Sequence, residues 1–259
     1  MKPSVSCFAI AFLPLASAFA ATSMIDIPAG ALTMGSDAGP ADEQPVHQVA
    51  LPAFAIDRTP VTNAQFAEFL NAVGLRNAKG ERLFDEDDPD ARIHLVRGRW
   101  RANPGFEHHP VVEVSFRGAA AYCARAGMRL PSEAEWEKAA RGNDGRRYPW
   151  GNEAPDATRA RFGAAYNATV PVGSYPKGAS AYGVLDMAGN VWQWTSSLYR
   201  AYPYRAGDGR EDPDSSETRV TRGGAHDWPA QGLTATHRGG GLSRAPAVGH
   251  HNIGFRCAR

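Results

Sequence analysis

The sequence is poor in cysteine, has almost no net charge and contains no long apolar run. Its three cysteines include Cys123 and Cys257, and neither of these has a second cysteine or a histidine at metal-ligand spacing. With 28 basic residues against 27 acidic ones, the chain carries no electrostatic footprint for nucleic acid or an anionic membrane. We therefore expect its partner to occupy a pocket, and we expect a monomer.

The N-terminal segment has the pattern of a secretory signal. Lys2 is followed by a mostly apolar run over residues 5–15 and then by the small-residue sequence Ala18-Phe19-Ala20. The run is too short to span a bilayer, and nothing later is apolar for long enough to do so. We predict a signal peptide over residues 1–20 and a soluble mature domain over residues 21–259, periplasmic or secreted.

Start and stop signals predict three helices and a few strands. Polar N-cap residues and terminal glycines place the helices after Thr62, Ser115 and Ser132 and before Gly74, Gly127 and Gly142. Alternation predicts strands over residues 24–27, 30–35 and 46–56, and a hairpin over residues 93–100. The chain after residue 142 has little helical periodicity, and the 27 glycines and 19 prolines indicate many turns. The sequence thus predicts one α+β domain.

Two features allow a structural or a functional interpretation at this point. Cys123 and Cys257 form a structural disulfide, or one of them is a reactive thiol or a metal ligand. The acidic loop over residues 85–90 binds calcium or is a solvated turn, and it lacks the glycine and distal glutamate of an EF-hand. We favour the disulfide and the solvated turn.

Five sequence blocks occur in an order that resembles the sulfatase-modifying-factor family. They are Met128–Gly142 (MRLPSEAEWEKAARG), Tyr148–Asn152 (YPWGN), Gly189–Thr195 (GNVWQWT), Arg222–Gly224 (RGG) and Asn252–Cys257 (NIGFRC). The family includes the formylglycine-generating enzymes and a periplasmic pyoverdine-maturation protein, and the chain resembles that branch without active-site cysteines. The resemblance implies a single C-type-lectin-like domain with little regular secondary structure and a groove across one face.

The resemblance also implies a disulfide and a calcium site. Cys123 pairs with Cys257 in this alignment. Calcium would be held by the side chains of Asp186 and Gln193 and by the carbonyls of Gly189 and Val191. Because glutamine replaces a glutamate of the family, we expect a lower affinity for calcium. The alternative is that Asp186 caps a turn and Gln193 bonds to the backbone.

The resemblance argues against the copper chemistry of formylglycine-generating enzymes. Their two copper-binding cysteines align with Trp228 and Leu233, and neither of these side chains binds a soft metal ion. We therefore expect no copper and no ordinary formylglycine mechanism. The groove itself should be retained.

The polar and aromatic residues of the same region are the remaining site candidates: Arg222, His226, Asp227, Trp228 and His237. Two histidines and a carboxylate suit a non-heme iron triad, and His226 with Asp227 suits an acid–base pair. Because adjacent residues in extended chain point to opposite sides, one metal should not bind both His226 and Asp227. The competing interpretation is that His226 and Asp227 pin loops, Trp228 fills space, and the pair His250-His251 is exposed.

The resemblance to the pyoverdine-maturation branch, together with the predicted signal peptide, implies an exported protein that carries out oxidative maturation of a periplasmic small molecule or peptide. A second hypothesis is a lectin-like binding or assembly module without catalysis. A third, a formylglycine-generating oxidase, conflicts with the missing cysteines. If a ligand is bound, we expect Arg222, Trp228 and either His226 or Asp227 to form the floor of the groove.

Overall fold

The computed structural model describes residues 23–239 and 245–259. The predicted signal peptide lies outside these residues. The described part contains three α-helices among short strands and long irregular segments, as the sequence predicts for an α+β domain. Within it, no helix is long and apolar enough to cross a membrane.

The strands form one four-stranded sheet and three two-stranded pairs in the described ranges. The larger sheet has the order β10-β7-β8-β9, with β10 parallel to β7 and the other pairs antiparallel. Its strands are β7 (Trp192–Leu198), β8 (Arg219–Arg222), β9 (Arg238–Gly239) and β10 (Ile253–Gly254). The pairs join β1 (Met24–Ile27) to β4 (Phe54–Asp57), β2 (Gly30–Met34) to β3 (His47–Leu51), and β5 (Ile93–Val96) to β6 (Arg99–Ala102).

The helices begin and end at the predicted signals. They are α1 (Asn63–Val73), α2 (Phe116–Arg125) and α3 (Glu133–Arg141). Thr62 and Ser132 each form a complete capping box, which satisfies backbone N–H groups that the first helical turn leaves open. Beyond α3 the only helical segments of the described chain are short 3₁₀ turns, at Pro176–Gly178 and Ala230–Leu233.

One predicted strand is two. The alternating stretch over residues 46–56 divides into β3 and β4, which pair with β2 and β1 respectively. Pro52 lies between them and has no N–H to donate to a ladder. β3 buries only its central residue, Val49, whereas all four residues of β4 are buried, so the alternation of apolar residues did not reveal the break.

The core joins α1, α2 and the central sheet around aromatic side chains and the disulfide. Trp192 and Trp194 of β7 are fully buried together with Phe66, Phe255 and others. The disulfide between Cys123 and Cys257, with Cα atoms 5.6 Å apart, ties α2 to the C-terminal segment. The predicted pairing is confirmed, and it removes both described cysteines from thiolate chemistry.

Candidate active site

Two glycines turn the chain as it leaves β8. Gly223 and Gly224 have φ angles of 100° and 72°, a region that L side chains rarely adopt. A Cβ at Gly223 would lie 3.1 Å from Cζ2 of Trp136, and one at Gly224 would lie 2.7 Å from Cδ2 of Leu233. The turn therefore needs glycine both for its backbone angles and for its close packing.

Arg222, immediately before this turn, belongs to a buried ionic network. Its guanidinium pairs with Glu137 and donates to the carbonyls of Ala235 and His237 at 3.1 and 3.0 Å. Glu133 is held in turn by Arg238, with Nε to Oε1 at 2.7 Å. Side chains of Arg222 and both glutamates are fully buried. Arg222 thus fastens α3 to the segment between β8 and β9 through Nη1 and Nη2. Its Nε has no hydrogen-bond partner in the described chain, but the whole side chain is buried and does not reach the surface.

Trp228 and Leu233, in place of the two thiolates, have different surroundings. Leu233 is fully buried among Tyr148, Ala160 and Ala188. Trp228 is half-buried, its ring meeting that of Trp192 edge-on at a centroid distance of 5.5 Å. The indole also lies over Gly232, where a Cβ would come within 2.0 Å of Trp228 Cδ1. Leucine therefore fills a core position, whereas the tryptophan forms a wall.

That wall borders a cavity of about 560 Å³. The lining also includes the loop around Pro40, Arg141 at the end of α3, and Arg147 beyond that helix. The volume is within the range of small-molecule sites. Trp228 and His237 line it, whereas Arg222, His226 and Asp227 do not. The predicted floor is therefore wrong for those three residues.

Charged groups of both signs surround the cavity. His237 Nδ1 lies 3.3 Å from Oε1 of Glu43, a carboxylate that is almost fully buried. Arg147 is exposed, and its guanidinium lies over the ring of Tyr148 at 5.5 Å. Among the residues described, no carboxylate pairs with it. The arrangement can exchange a proton through His237 and attract an anionic group through Arg147.

Asp227 lies outside this cavity and pairs with the C-terminal segment. Its carboxylate accepts hydrogen bonds from His251 Nε2 at 3.0 Å and from the Asn252 amide at 3.2 Å. Burial alone would raise the pKa of Asp227, but these bonds outweigh it and lower the pKa to about 2. His251 is half-buried beneath the ring of Tyr166, 4.2 Å away. The expectation that His250 and His251 are exposed is wrong, since both are half-buried.

His226 is fully buried. Its Nδ1 lies 2.8 Å from the carbonyl of Asn190 and therefore carries the proton, while Nε2 has no hydrogen-bond partner in the described chain. Burial lowers the pKa of His226. The ring is 6.3 Å from that of His251. His226 thus packs beside the Asp227–His251 pair without bonding to it.

An iron triad is not assembled by these groups. Within residues 23–239 and 245–259, three metal-ligating side chains approach one another within 4.8 Å only at Asp88, Asp90 and Glu113. Those three are all carboxylates, and none belongs to the segment after β8. Iron at His226, His237 or Asp227 therefore has no geometric support.

The predicted calcium donors are close together but already bonded. Gln193 Oε1 accepts from Trp136 Nε1 at 2.8 Å and from Arg256 Nε at 2.7 Å, while its Nε2 donates to the Asp186 carbonyl. The carbonyl of Gly189 accepts from Val191 N at 2.9 Å. Both acceptor positions of the Gln193 amide are used, and a buried guanidinium stands against it. As arranged, this set does not fit calcium, and calcium there remains a prediction.

Comparison with known proteins supports the resemblance in the sequence blocks. The profile described as "Sulfatase-modifying factor enzyme 1-like domain" matches residues 13–259. The chain belongs to the sulfatase-modifying-factor family. The solved structure of PvdO from Pseudomonas aeruginosa, 29% identical, superposes with a TM-score of 0.69 over 92% of this chain and 94% of that one. The predicted lectin-like fold of this family is thereby confirmed.

Curated relatives differ in how much of their length they share with this family member. The formylglycine-generating enzyme of Mycobacterium tuberculosis is 34% identical over 301 residues, covering 91% of this chain and 97% of the relative. The serine/threonine-protein kinase Pkn1 of Chlamydia trachomatis is 40% identical over 245 residues, 92% of this chain. The chain spans only 38% of the length of that kinase, so the kinase name transfers no activity.

The buried carboxylates that pair with Arg222, Arg238 and His237 were not identified from the sequence. Glu133 and Glu137 stand four residues apart on α3 and therefore share one face, a signal that the sequence did offer. The same spacing of two glutamates is typical of a solvent-exposed helix face. Their partners, Arg222 and Arg238, lie far away in the sequence, so the sequence does not show that these glutamates are buried and paired. Glu43, in the 3₁₀ turn Ala41–Glu43, carried no signal at all.

Proposed function

We propose that the protein binds a small molecule or peptide of the periplasm in the cavity beside Trp228 and takes part in its oxidative maturation. The observation that carries the proposal is the position of this cavity. Trp228, at one of the two positions that align with the copper thiolates of formylglycine-generating enzymes, forms its wall, whereas Leu233 at the other position is buried in the core. The similarity to PvdO and to a formylglycine-generating enzyme supports an oxidative role.

The cavity lining favours an anionic ligand with a flat apolar part. Trp228 offers an aromatic surface, and Arg147 at the mouth offers a cation without a carboxylate partner in the described chain. Arg141 adds a second guanidinium, although its Nη1 already donates to the carbonyls of Thr33 and Gly35. A carboxylate beside an aromatic or conjugated ring matches this combination.

The chemistry we propose does not use copper, since Cys123 and Cys257 are joined to each other. An electron-rich ligand would give up two electrons and two protons, and dioxygen would accept them as hydrogen peroxide. His237, paired with Glu43 at 3.3 Å, is placed to take one of the protons. The protein's part would be to hold the ligand and move a proton at His237 Nε2 or Nδ1.

Mass spectrometry tests this proposal directly. The purified mature protein is incubated in air with a low-molecular-weight periplasmic extract, with Arg147→Ala and Trp228→Ala proteins in parallel. We expect the wild type to convert at least one acidic compound to a product lighter by two hydrogens, with peroxide formed in equal amount, and both variants to be slower. An unchanged extract and no bound compound would contradict the proposal.

A binding module without catalysis is the second candidate. It is favoured by the full burial of Arg222 in an ionic network of the protein itself and by the absence of a described metal trio at the cavity. In that case the same extract yields a compound that is retained by the wild type, released by Trp228→Ala protein and unchanged in mass. Retention without peroxide would therefore select this function over the first.

A further inference from the structure

Three carboxylates that do not line the cavity beside Trp228 converge near the start of α2. Asp88 and Asp90 lie in the acidic loop that follows Phe84, and Glu113 lies just before α2. One oxygen from each of the three lies within 4.8 Å of the other two. Two oxygens bound to the same Ca²⁺ at its usual distance are at most about 5 Å apart. The spacing therefore suits one calcium ion without rearrangement of the backbone.

Glu113 is the feature that distinguishes this cluster from an ordinary acidic surface. It is only 3% exposed, and in the described ranges no group donates a hydrogen bond to its carboxylate. Its charged neighbours are Asp85, Asp88 and Asp90, and the pKa of Glu113 rises to about 8 through burial and through these carboxylates. A buried carboxylate facing other carboxylates is costly unless a cation joins them.

No described cation does so. Arg82, just before the acidic loop, pairs with Asp85, Glu86 and Asp87. In the described part of the chain, no ion pair involves Asp88, Asp90 or Glu113. Arg82 therefore compensates the other three carboxylates of this region and not the three of the cluster.

A second loop already holds one of the three in place. The hydroxyl of Tyr166 and the amide of Asn167 both donate to the carboxylate of Asp90. Within the acidic loop, Asp90 N donates to Asp88 Oδ1 at 2.8 Å. Groups that orient a metal ligand from outside are typical of metal sites. The backbone of Glu113 is fixed as well, since its N–H donates to the His250 carbonyl at 3.0 Å.

We propose that Asp88, Asp90 and Glu113 form a binding site for a hard divalent cation, Ca²⁺ in the first place. Oxygen-only ligands with three negative charges suit Ca²⁺ and do not suit copper or zinc. The ion would tie the acidic loop to the segment before α2. This site is separate from the set around Gln193, where the amide oxygen is already used.

Calcium titration of the full mature protein after EGTA treatment tests the site. We expect one Ca²⁺ bound per chain and a melting temperature raised by several degrees on adding calcium. Glu113→Gln and Asp88→Asn should each weaken calcium affinity by about tenfold or more, because each removes one of three charges. Asp87→Asn, an exposed carboxylate of the same loop, is the control and should bind calcium as the wild type does.

Melting temperatures of the calcium-free wild type and Glu113→Gln protein show whether the substitution itself disturbs the fold. Without calcium, Glu113→Gln protein should melt at or above the temperature of the wild type, since glutamine cannot ionise beside Asp88 and Asp90. The proposal is overturned if the wild type shows no calcium-dependent shift. It is equally overturned if the shift persists in Glu113→Gln protein and disappears in Asp186→Asn protein.

Discussion

Arg222 and Trp228 stand on either side of the same turn after β8 and lie in opposite environments. Arg222 is fully buried, and its guanidinium donates to protein carbonyls and pairs with Glu137. Trp228 is half-buried and borders a cavity of about 560 Å³. A charged residue in a family-specific block can therefore be part of the scaffold, while the apolar residue beside it forms the ligand surface. Four measurements test this difference between Arg222 and Trp228.

The largest effect should come from Arg222→Ala. Removing one member of a buried ionic pair leaves Glu137 without its main partner, which typically costs about 3–5 kcal/mol of unfolding free energy. Denaturant unfolding measures this loss. Arg99→Ala removes an exposed pair with Glu68 and should change stability by less than about 0.5 kcal/mol. A small loss for Arg222→Ala would mean that this arginine is not scaffold.

A smaller loss of stability should accompany Trp228→Ala, together with a loss of ligand retention. Because the indole is only half-buried, we expect about 2 kcal/mol rather than the roughly 3–5 kcal/mol of a core tryptophan. Unfolding and ligand retention are measured on the same protein. A large loss of stability with unchanged retention would make Trp228 a core residue and remove the contrast with Arg222.

Asp227 should contribute a pH-dependent term of roughly 1–2 kcal/mol. Its folded pKa of about 2 is below the ordinary value of 3.8, so the contribution is complete above about pH 4 and is lost as the pH falls towards 2. Asp227→Asn should be less stable than the wild type at pH 7 and equal to it near pH 2. Equal stability at both pH values would show that the His251 pair contributes nothing.

The smallest effect on stability should come from His237→Ala. The side chain is half-buried at the cavity and makes one long contact with Glu43, so we expect a change within about 1 kcal/mol. Product formation should fall while ligand retention changes little, because His237 is assigned to proton transfer. Unchanged product formation would remove that role and favour the binding module.

Local signals predicted the helices well and the partners of their charged residues not at all. Thr62 and Ser132 cap α1 and α3 as expected, because a capping box is complete within four residues. The division of residues 46–56 into two strands was missed, since it depends on which strands pair across the sheet. The burial of Glu137 was missed for the same reason. Its position on α3 is typical of a solvent-exposed helix face, and its partner Arg222 lies far away in the sequence.

The sequence by itself determined the family, the order of the helices and the loss of the copper thiolates. Each of these follows from residue identity at a position, as at Trp228 and Leu233. The tertiary structure alone shows which polar residues are buried and paired within the protein and which line the cavity. Burial and hydrogen bonding depend on chain that is distant in sequence: Arg222 meets α3, and Asp227 meets His251. No local pattern of residues contains that information.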